Sequence, residues 1–234
     1  MTLKIAIVDD DKMFRQKIET TIRENIQGKI FLKTFSRPEN MLEDEVTKFD
    51  IYILDIEMPG MNGVELSHCI RQRDKRGEII FLTSYQKYAI QGYTARAYAY
   101  LMKEKMEEEL MPVIKKLESI VKERSQKIYV IETSSSLEKM FFDEIIYIYK
   151  DTKNCIFVTE NGEKIQRVSL ENVYQTISSD EFVYVDKGKI ANIHHVKKVI
   201  KDTLYMSNDD EIVISRSNIK KVKDAVKLYW SGQM

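Results

Sequence analysis

A doubly wound, parallel five-stranded α/β half followed by a mainly antiparallel β half is the architecture this sequence predicts. Three observations carry that reading. Over residues 1–122, short apolar runs alternate with amphipathic helical stretches. From residue 128 onward, short segments rich in Ile, Val, Tyr and Phe are separated by turn signals. At 234 residues the chain is also long enough for two domains, each with its own core.

In the first half, strands are expected at residues 3–8, 30–35, 51–55, 78–83 and 97–102. Residues 12–25 place Ile18, Ile22 and Ile26 at four-residue spacing, and residues 106–122 put Leu110, Val113, Leu117 and Ile120 or Val121 on one helical face. Five repeats of strand then helix give a parallel sheet, whose ligand crevice lies beyond the carboxyl ends of its strands. Asp9, Asp10, Asp55, Thr83 and Lys103 all fall there. In the second half, strands are expected at 128–132, 145–150, 155–159, 182–185 and 211–214, with helices only at 170–177 and 218–230. Glu160-Asn161-Gly162 and Ser207-Asn208-Asp209-Asp210 mark turns between strands. The change of composition after Arg124-Ser125-Gln126 puts a linker at 123–127, between domains at 1–122 and 128–234.

Lys plus Arg and Asp plus Glu both total 37, so no overall field commits the chain to nucleic acid or to an anionic membrane. Cys69 and Cys155 lie far apart without metal-ligand spacing, which fits a reducing cytoplasm. No apolar run approaches the roughly 18–20 residues of a membrane span, and the chain enters a strand without a leader pattern. A cytoplasmic protein without membrane contact is the expectation.

The chemistry gathers at two strand ends. Ile5-Ala6-Ile7-Val8 runs into Asp9, Asp10 and Asp11, while the strand at 51–55 carries Asp55 at its end, followed by the Pro59-Gly60 turn and Asn62-Gly63 at a helix start. Carboxylates crowded at neighbouring buried strand ends repel one another unless a cation intervenes, and a hard, oxygen-preferring ion such as Mg²⁺ suits them. Asp55 is the candidate nucleophile, able to form an aspartyl-phosphate. Asp10 and Asp55, with a backbone carbonyl near Glu57, would hold the metal, and Asp9 would reach it through water. Thr83 and Lys103 offer a hydroxyl and an ammonium to phosphoryl oxygens. Asp11 is better placed as the cap of the first helix. A phosphohydrolase would want a second acid/base carboxylate two residues after the nucleophile, where Glu57 stands. The Met58-Pro59-Gly60 turn and Lys103 favour phosphoryl acceptance without turnover of a separate substrate.

With these residues in place, the first half resembles the receiver domain of two-component response regulators, whose fold is flavodoxin-like. The matching elements are Asp9-Asp10, Asp55 within Asp-Ile-Glu-Met-Pro-Gly-Met-Asn-Gly, Thr83 after Ile-Ile-Phe-Leu, and Lys103 after Tyr-Leu-Met. The resemblance implies that a sensor histidine kinase phosphorylates Asp55. It also implies that Tyr100 is an aromatic switch moving with Thr83, within an element made of the helix before the fifth strand, that strand and the helix after it. Phosphorylation would then drive homodimerisation. One departure stands out: Glu104 follows Lys103 where the family has proline after a usually cis bond. A cis bond before a non-proline costs about 2.5–4 kcal/mol, so a trans bond is expected.

The second half resembles LytTR-type DNA-binding domains. The resemblance rests on Ile-Tyr-Val-Ile-Glu at 128–132, Asp-Glu-Ile-Ile-Tyr-Ile at 143–148, Ser169-Leu170, Phe182-Val-Tyr-Val, Ile190-Ala-Asn192 and Ile214-Ser215-Arg216. It implies contact with repeated sites on double-stranded DNA through loops at strand ends. Arg216 suits bidentate readout of guanine, and Asn192, Lys187, Lys189, Lys153 and Asn154 complete the expected contacts. The principal loop departs from the family's His-Arg/Asn-Ser with Asp186-Lys187-Gly188. From residue 128 onward 15 Lys and Arg face 16 Asp and Glu, so charge alone leaves open a protein- or RNA-binding module under receiver control.

Overall fold

The computed structural model describes residues 1–44, 48–85, 96–133 and 135–232. Five strands pair in parallel in the order β2-β1-β3-β4-β5: β1 (Thr2–Val8), β2 (Lys29–Phe35), β3 (Ile51–Leu54), β4 (Glu78–Thr83) and β5 (Ala99–Met102). Around them lie α1 (Lys12–Asn25), α2 (Pro38–Leu42), α3 (Gly63–Arg73) and α4 (Met106–Gln126). The helix expected between the fourth and fifth strands falls at 86–95, outside the described residues.

Because successive strand residues face opposite sides, the buried strands feed two separate cores. Ile5, Ile7, Ile53 and Leu82 pack with Ile18 and Ile22 of α1 and with Leu110, Ile114 and Leu117 of α4. Ala6, Val8, Leu54 and Phe81 pack instead with Leu66 and Ile70 of α3. Both sheet faces are thereby covered, which makes the apolar runs nearly continuous. The helix expected to end at residue 122 continues to Gln126, through residues expected as linker. Lys122-Glu123-Arg124 are good helix formers and nothing among them stops propagation. By internal contacts the chain divides into two compact units, Met1–Glu123 and Arg124–Met234.

The second unit centres on an antiparallel sheet ordered β10-β9-β8-β12-β11, built from β8 (Ile145–Asp151), β9 (Asn154–Thr159), β10 (Gly162–Gln166), β11 (Phe182–Asp186) and β12 (Lys189–Asn192). A hairpin of β6 (Ile128–Glu132) and β7 (Leu137–Phe141) and the helix α5 (Leu170–Ile177) bring Tyr129, Met140 and Val173 against Ile148, Phe157 and Phe182. On the other core, β13 (Val196–Ile200), β14 (Thr203–Met206), β15 (Glu211–Val213) and α6 (Ile219–Trp230) supply Leu204, Ile212, Val222 and Val226 to meet Ile146, Val183 and Ala191. Among the described residues no helix is long and apolar enough to cross a membrane.

His195 is a buried titratable group of this unit. Its Nε2 lies 2.9 Å from the Asp143 carbonyl, which only accepts, so that nitrogen carries the proton while Nδ1 accepts from the Ser207 hydroxyl at 2.8 Å. Burial, helped by neighbouring His194, lowers the imidazole pKa against the pull of the Asp143 carbonyl, Glu160 and the Asp143 side chain. Above about pH 6.5 both folded and unfolded forms are neutral. Below it the unfolded chain takes the proton first, so stability falls as pH falls, by at most about 1.4 kcal/mol per pH unit. Denaturant titrations between about pH 7 and 5, followed through the single tryptophan, Trp230 in α6, should show this loss. His195→Gln should flatten it; an unchanged slope would reject the assignment.

Candidate functional site

Strand register explains why distant residues meet. Val8 pairs with Leu54 and Thr83 with Met102, so Asp9 and Asp55 each stand one residue past a paired end, as does Lys103. The Asp55 amide donates to the Val8 carbonyl at 2.8 Å, fixing the two ends side by side. The start of α3 presses against this point: a methyl group at Gly63 would overlap the Asp55 carbonyl, and the Gly63 amide donates to Ile56 at 2.9 Å.

Oxygens of Asp9, Asp10 and Asp55 all lie within 4.8 Å of one another. Asp9 and Asp55 are buried and Asp10 is exposed, so the cluster opens to solvent on one side. Lys103 reaches back across the sheet, its Nζ 2.6 Å from Asp9 Oδ2 and 2.7 Å from Asp55 Oδ2. Among the described residues there is no cis peptide bond, so Glu104 follows Lys103 in trans and the ammonium still reaches both carboxylates. Burial raises the Asp9 pKa, and Lys103 only partly offsets it. For Lys103 burial alone would lower the pKa, but hydrogen bonds and charge from Asp55 and Asp9 outweigh it and leave it raised.

The remaining groups divide the work. Asp11 caps α1, accepting from Met13 at 2.8 Å and Phe14 at 3.1 Å, while its own amide donates to Asp9 Oδ1 at 2.8 Å. Asp55 Oδ1 accepts from the Ile56 amide at 2.6 Å. Thr83 is fully buried, and its Oγ1 lies 3.4 Å from the Tyr85 amide, while the Tyr100 hydroxyl donates to the Tyr85 carbonyl. Both expected switch residues therefore engage the same residue. The Glu57 side chain is not in the carboxylate cluster, consistent with its expected part being a backbone carbonyl.

The pocket suits a divalent cation on one local observation. Asp9 Oδ2 is buried and, beyond its ion pair with Lys103, has no well-aligned hydrogen bond, so an all-oxygen cradle keeps unused acceptor capacity. Replacing Lys103 with Met should leave Asp9 and Asp55 facing each other uncompensated. We expect a loss of about 2–3 kcal/mol from the first unit, below the roughly 3–5 for a fully enclosed pair because Asp9 can take a proton. Urea titrations by circular dichroism would test this, with Mg²⁺ recovering part of the loss in the variant; an unaffected midpoint would refute it.

Sequence reasoning missed Phe14 and Arg15. The Phe14 ring lies 4.5 Å beneath the Lys103 ammonium, and the Arg15 guanidinium donates to the Asp9 carbonyl. The signal for Phe14 was present, since it continues the four-residue spacing of Ile18 and Ile22.

In the second unit, three segments meet at one end of the central sheet. The β8–β9 hairpin turn carries Lys153 and leads into Asn154, the β11–β12 turn carries Lys187 and leads into Lys189, and the segment after β15 carries Arg216. Lys150 N donates to the Gly188 carbonyl at 2.8 Å, and Ser215 N to the Val185 carbonyl at 2.8 Å, tying all three together. Lys153, Lys187 and Arg216 are exposed, whereas the Lys189 ammonium lies 5.6 Å over the Tyr147 ring. Asn192 is a correction. It lies at the far end of β12, fully buried, donating to the Phe142 and Ile145 carbonyls at 3.0 and 2.9 Å and accepting from His194 N at 3.0 Å. With both amide protons and its oxygen engaged inside the core, it cannot meet DNA.

Each half also matches a known domain family. Residues 5–115 match the response regulator receiver domain and residues 135–227 the LytTr DNA-binding domain. Among curated proteins, the sensory transduction protein LytT of Bacillus anthracis is 22% identical over 245 residues, covering 97% of this chain and 100% of that one. The transcriptional regulatory protein NatR of Bacillus subtilis is 24% identical over 200 residues, covering 83% and 84%. Among solved structures, response regulator protein TrrA from Thermotoga maritima in complex with Mg(2+)-BeF is 32% identical, covering 49% of this chain and 98% of that one, with a TM-score of 0.44. The chain belongs to the two-component response regulators that join a receiver domain to a LytTR domain. It is a DNA-binding transcription regulator.

Proposed function

We propose that Asp55 accepts the phosphoryl group of a sensor histidine kinase and that residues 1–122 control DNA binding by residues 128–234 through 123–127. The observation that carries this reading is the Lys103 ammonium held between the Asp9 and Asp55 carboxylates at the strand ends. An Asp55 oxygen forms the new bond to phosphorus while the phosphorus–nitrogen bond of the kinase phosphohistidine breaks, its electron pair staying on the imidazole. Ile56 N–H holds Oδ1 and Lys103 holds Oδ2, so attack from Oδ2 has the ammonium pass to the incoming phosphoryl oxygens. Asp9, Asp10, Asp55 and the Glu57 carbonyl would hold Mg²⁺, which when bound offsets charge on the transferring group. Thr83 and Lys103 receive phosphoryl oxygens, and Tyr100 follows through Tyr85, which bonds both Thr83 and Tyr100.

Phosphorylation then favours a homodimer whose output domains engage two half-sites in the cytoplasm, with Lys153, Asn154, Lys187, Lys189 and Arg216 as the contact set. Selecting duplexes from a random-sequence pool with the full chain, with and without acetyl phosphate and Mg²⁺, tests this. Paired half-sites enriched only with the phosphodonor are expected. Enrichment of the same single half-site under both conditions would overturn it.

A further inference from the structure

We propose that Asp186 is a positioning residue of the DNA-contact turn, whose carboxylate locks residues 186–188 so that Lys187 is presented to DNA, and that Asp186 reads no base. This rests on the reading of Lys187 as a contact.

A carboxylate at this place needs a reason. Duplex DNA presents about one negative charge per 1.7 Å of axis, so a free acid facing it is unfavourable. Asp186 Oδ1 is not free: it accepts from the Gly188 amide at 2.7 Å, spanning the turn across Lys187. The pairing of β11 with β12 shifts register between Tyr184 and Asp186, and the carboxylate closes the turn just past that irregularity. Glycine's conformational freedom does not account for the turn's shape. A Cβ at residue 188 would sit 3.7 Å from Asp186 Oδ1, an ordinary contact, and φ there is not positive.

The lock joins two further ties. The Gly188 carbonyl accepts from Lys150, beside the hairpin carrying Lys153 and Asn154, and the Val185 carbonyl accepts from Ser215, beside Arg216. Lys187 therefore projects, exposed, from backbone held on both sides. Fixing that backbone beforehand removes ordering cost from binding. Cations outnumber acids around the turn: a groove of about 670 Å³ is lined by Lys187 and Lys221 with Asp186, and a depression of about 550 Å³ by Lys187 and Lys150 with Glu171.

The rival reading makes Asp186 an acceptor for cytosine N4. Asparagine separates the two, since it keeps an oxygen for the Gly188 amide, drops the charge and offers a base a different pattern. The test uses the full chain with acetyl phosphate and Mg²⁺, and a duplex enriched from a random pool by the unsubstituted protein. Asp186→Asn should bind within about threefold with unchanged base preference. Asp186→Ala should weaken binding at least about tenfold with little change in the Trp230 unfolding transition. Lys187→Ala should lower affinity and reduce the salt slope by about one. Equal losses in Asp186→Asn and Asp186→Ala, or a base preference altered in Asp186→Asn, would overturn the positioning role. A silent Lys187→Ala would overturn the contact reading instead. If Asp186→Ala does not fold, Asp186→Asn decides alone: unchanged preference supports the proposal and changed preference rejects it.

Discussion

Asp55→Asn should reduce phosphoryl incorporation from acetyl phosphate to background, measured as the mass increment on the intact chain. The carboxamide has the shape of the carboxylate but no anionic oxygen to attack phosphorus. The fold should survive, because Oδ1 can still accept from the Ile56 amide and Lys103 keeps Asp9 as its counterion. Stability should stay level or rise slightly, since one of three crowded acids has lost its charge. Incorporation equal to that of the unsubstituted protein would remove Asp55 from its assigned role, while the fold assignment would stand.

Asn192→Ala should have the largest effect on the second unit, a loss of about 3–5 kcal/mol. The substitution removes the side-chain donor from the buried Ile145 carbonyl, takes one of two donors from the Phe142 carbonyl, which keeps the Ile145 amide, and leaves the part-buried His194 amide without its acceptor. Each abandoned buried group costs about 1–3 kcal/mol before any cavity is counted. Asn192→Asp should be no better, because its oxygens would face the Phe142 and Ile145 carbonyls where the amide protons now point. Denaturant midpoints read from Trp230 check the size of the loss. A variant of normal stability with impaired DNA binding would restore the contact role that the burial of Asn192 contradicts.

The parallel sheet was legible because its inner strands β1, β3 and β4 are largely buried on both faces and read as nearly continuous apolar runs, with acids, hydroxyl and ammonium at or just past strand ends. Asp55 stands just outside β3 and not at its last position, and β5 begins at Ala99 and not Ala97. Such shifts of one or two residues leave the convergence intact. The antiparallel half was harder to read. Gly162–Gln166 has one apolar residue and Val196–Ile200 is interrupted by Lys197-Lys198, so neither alternates and their strand character comes from pairing partners that local pattern does not reveal. Asn192 misled for a related reason. A polar residue one step past an apolar strand looks like a surface group, and only the 3₁₀ turn at Ile193–His195 and the carbonyls of Phe142 and Ile145 show it to be an internal fastener.

The close approach of Gly63 to the Asp55 carbonyl makes a closed hoop of the segment between them, fastened by the Gly63 amide on Ile56. Both ends are anchored, so whatever give the loop has is confined to its crown at Pro59 and Gly60, where φ reaches +84°. Asp55 and the first turn of α3 are consequently joined through backbone contact as well as through the chain, so a side chain at residue 63 would disturb the strand end that carries the acid.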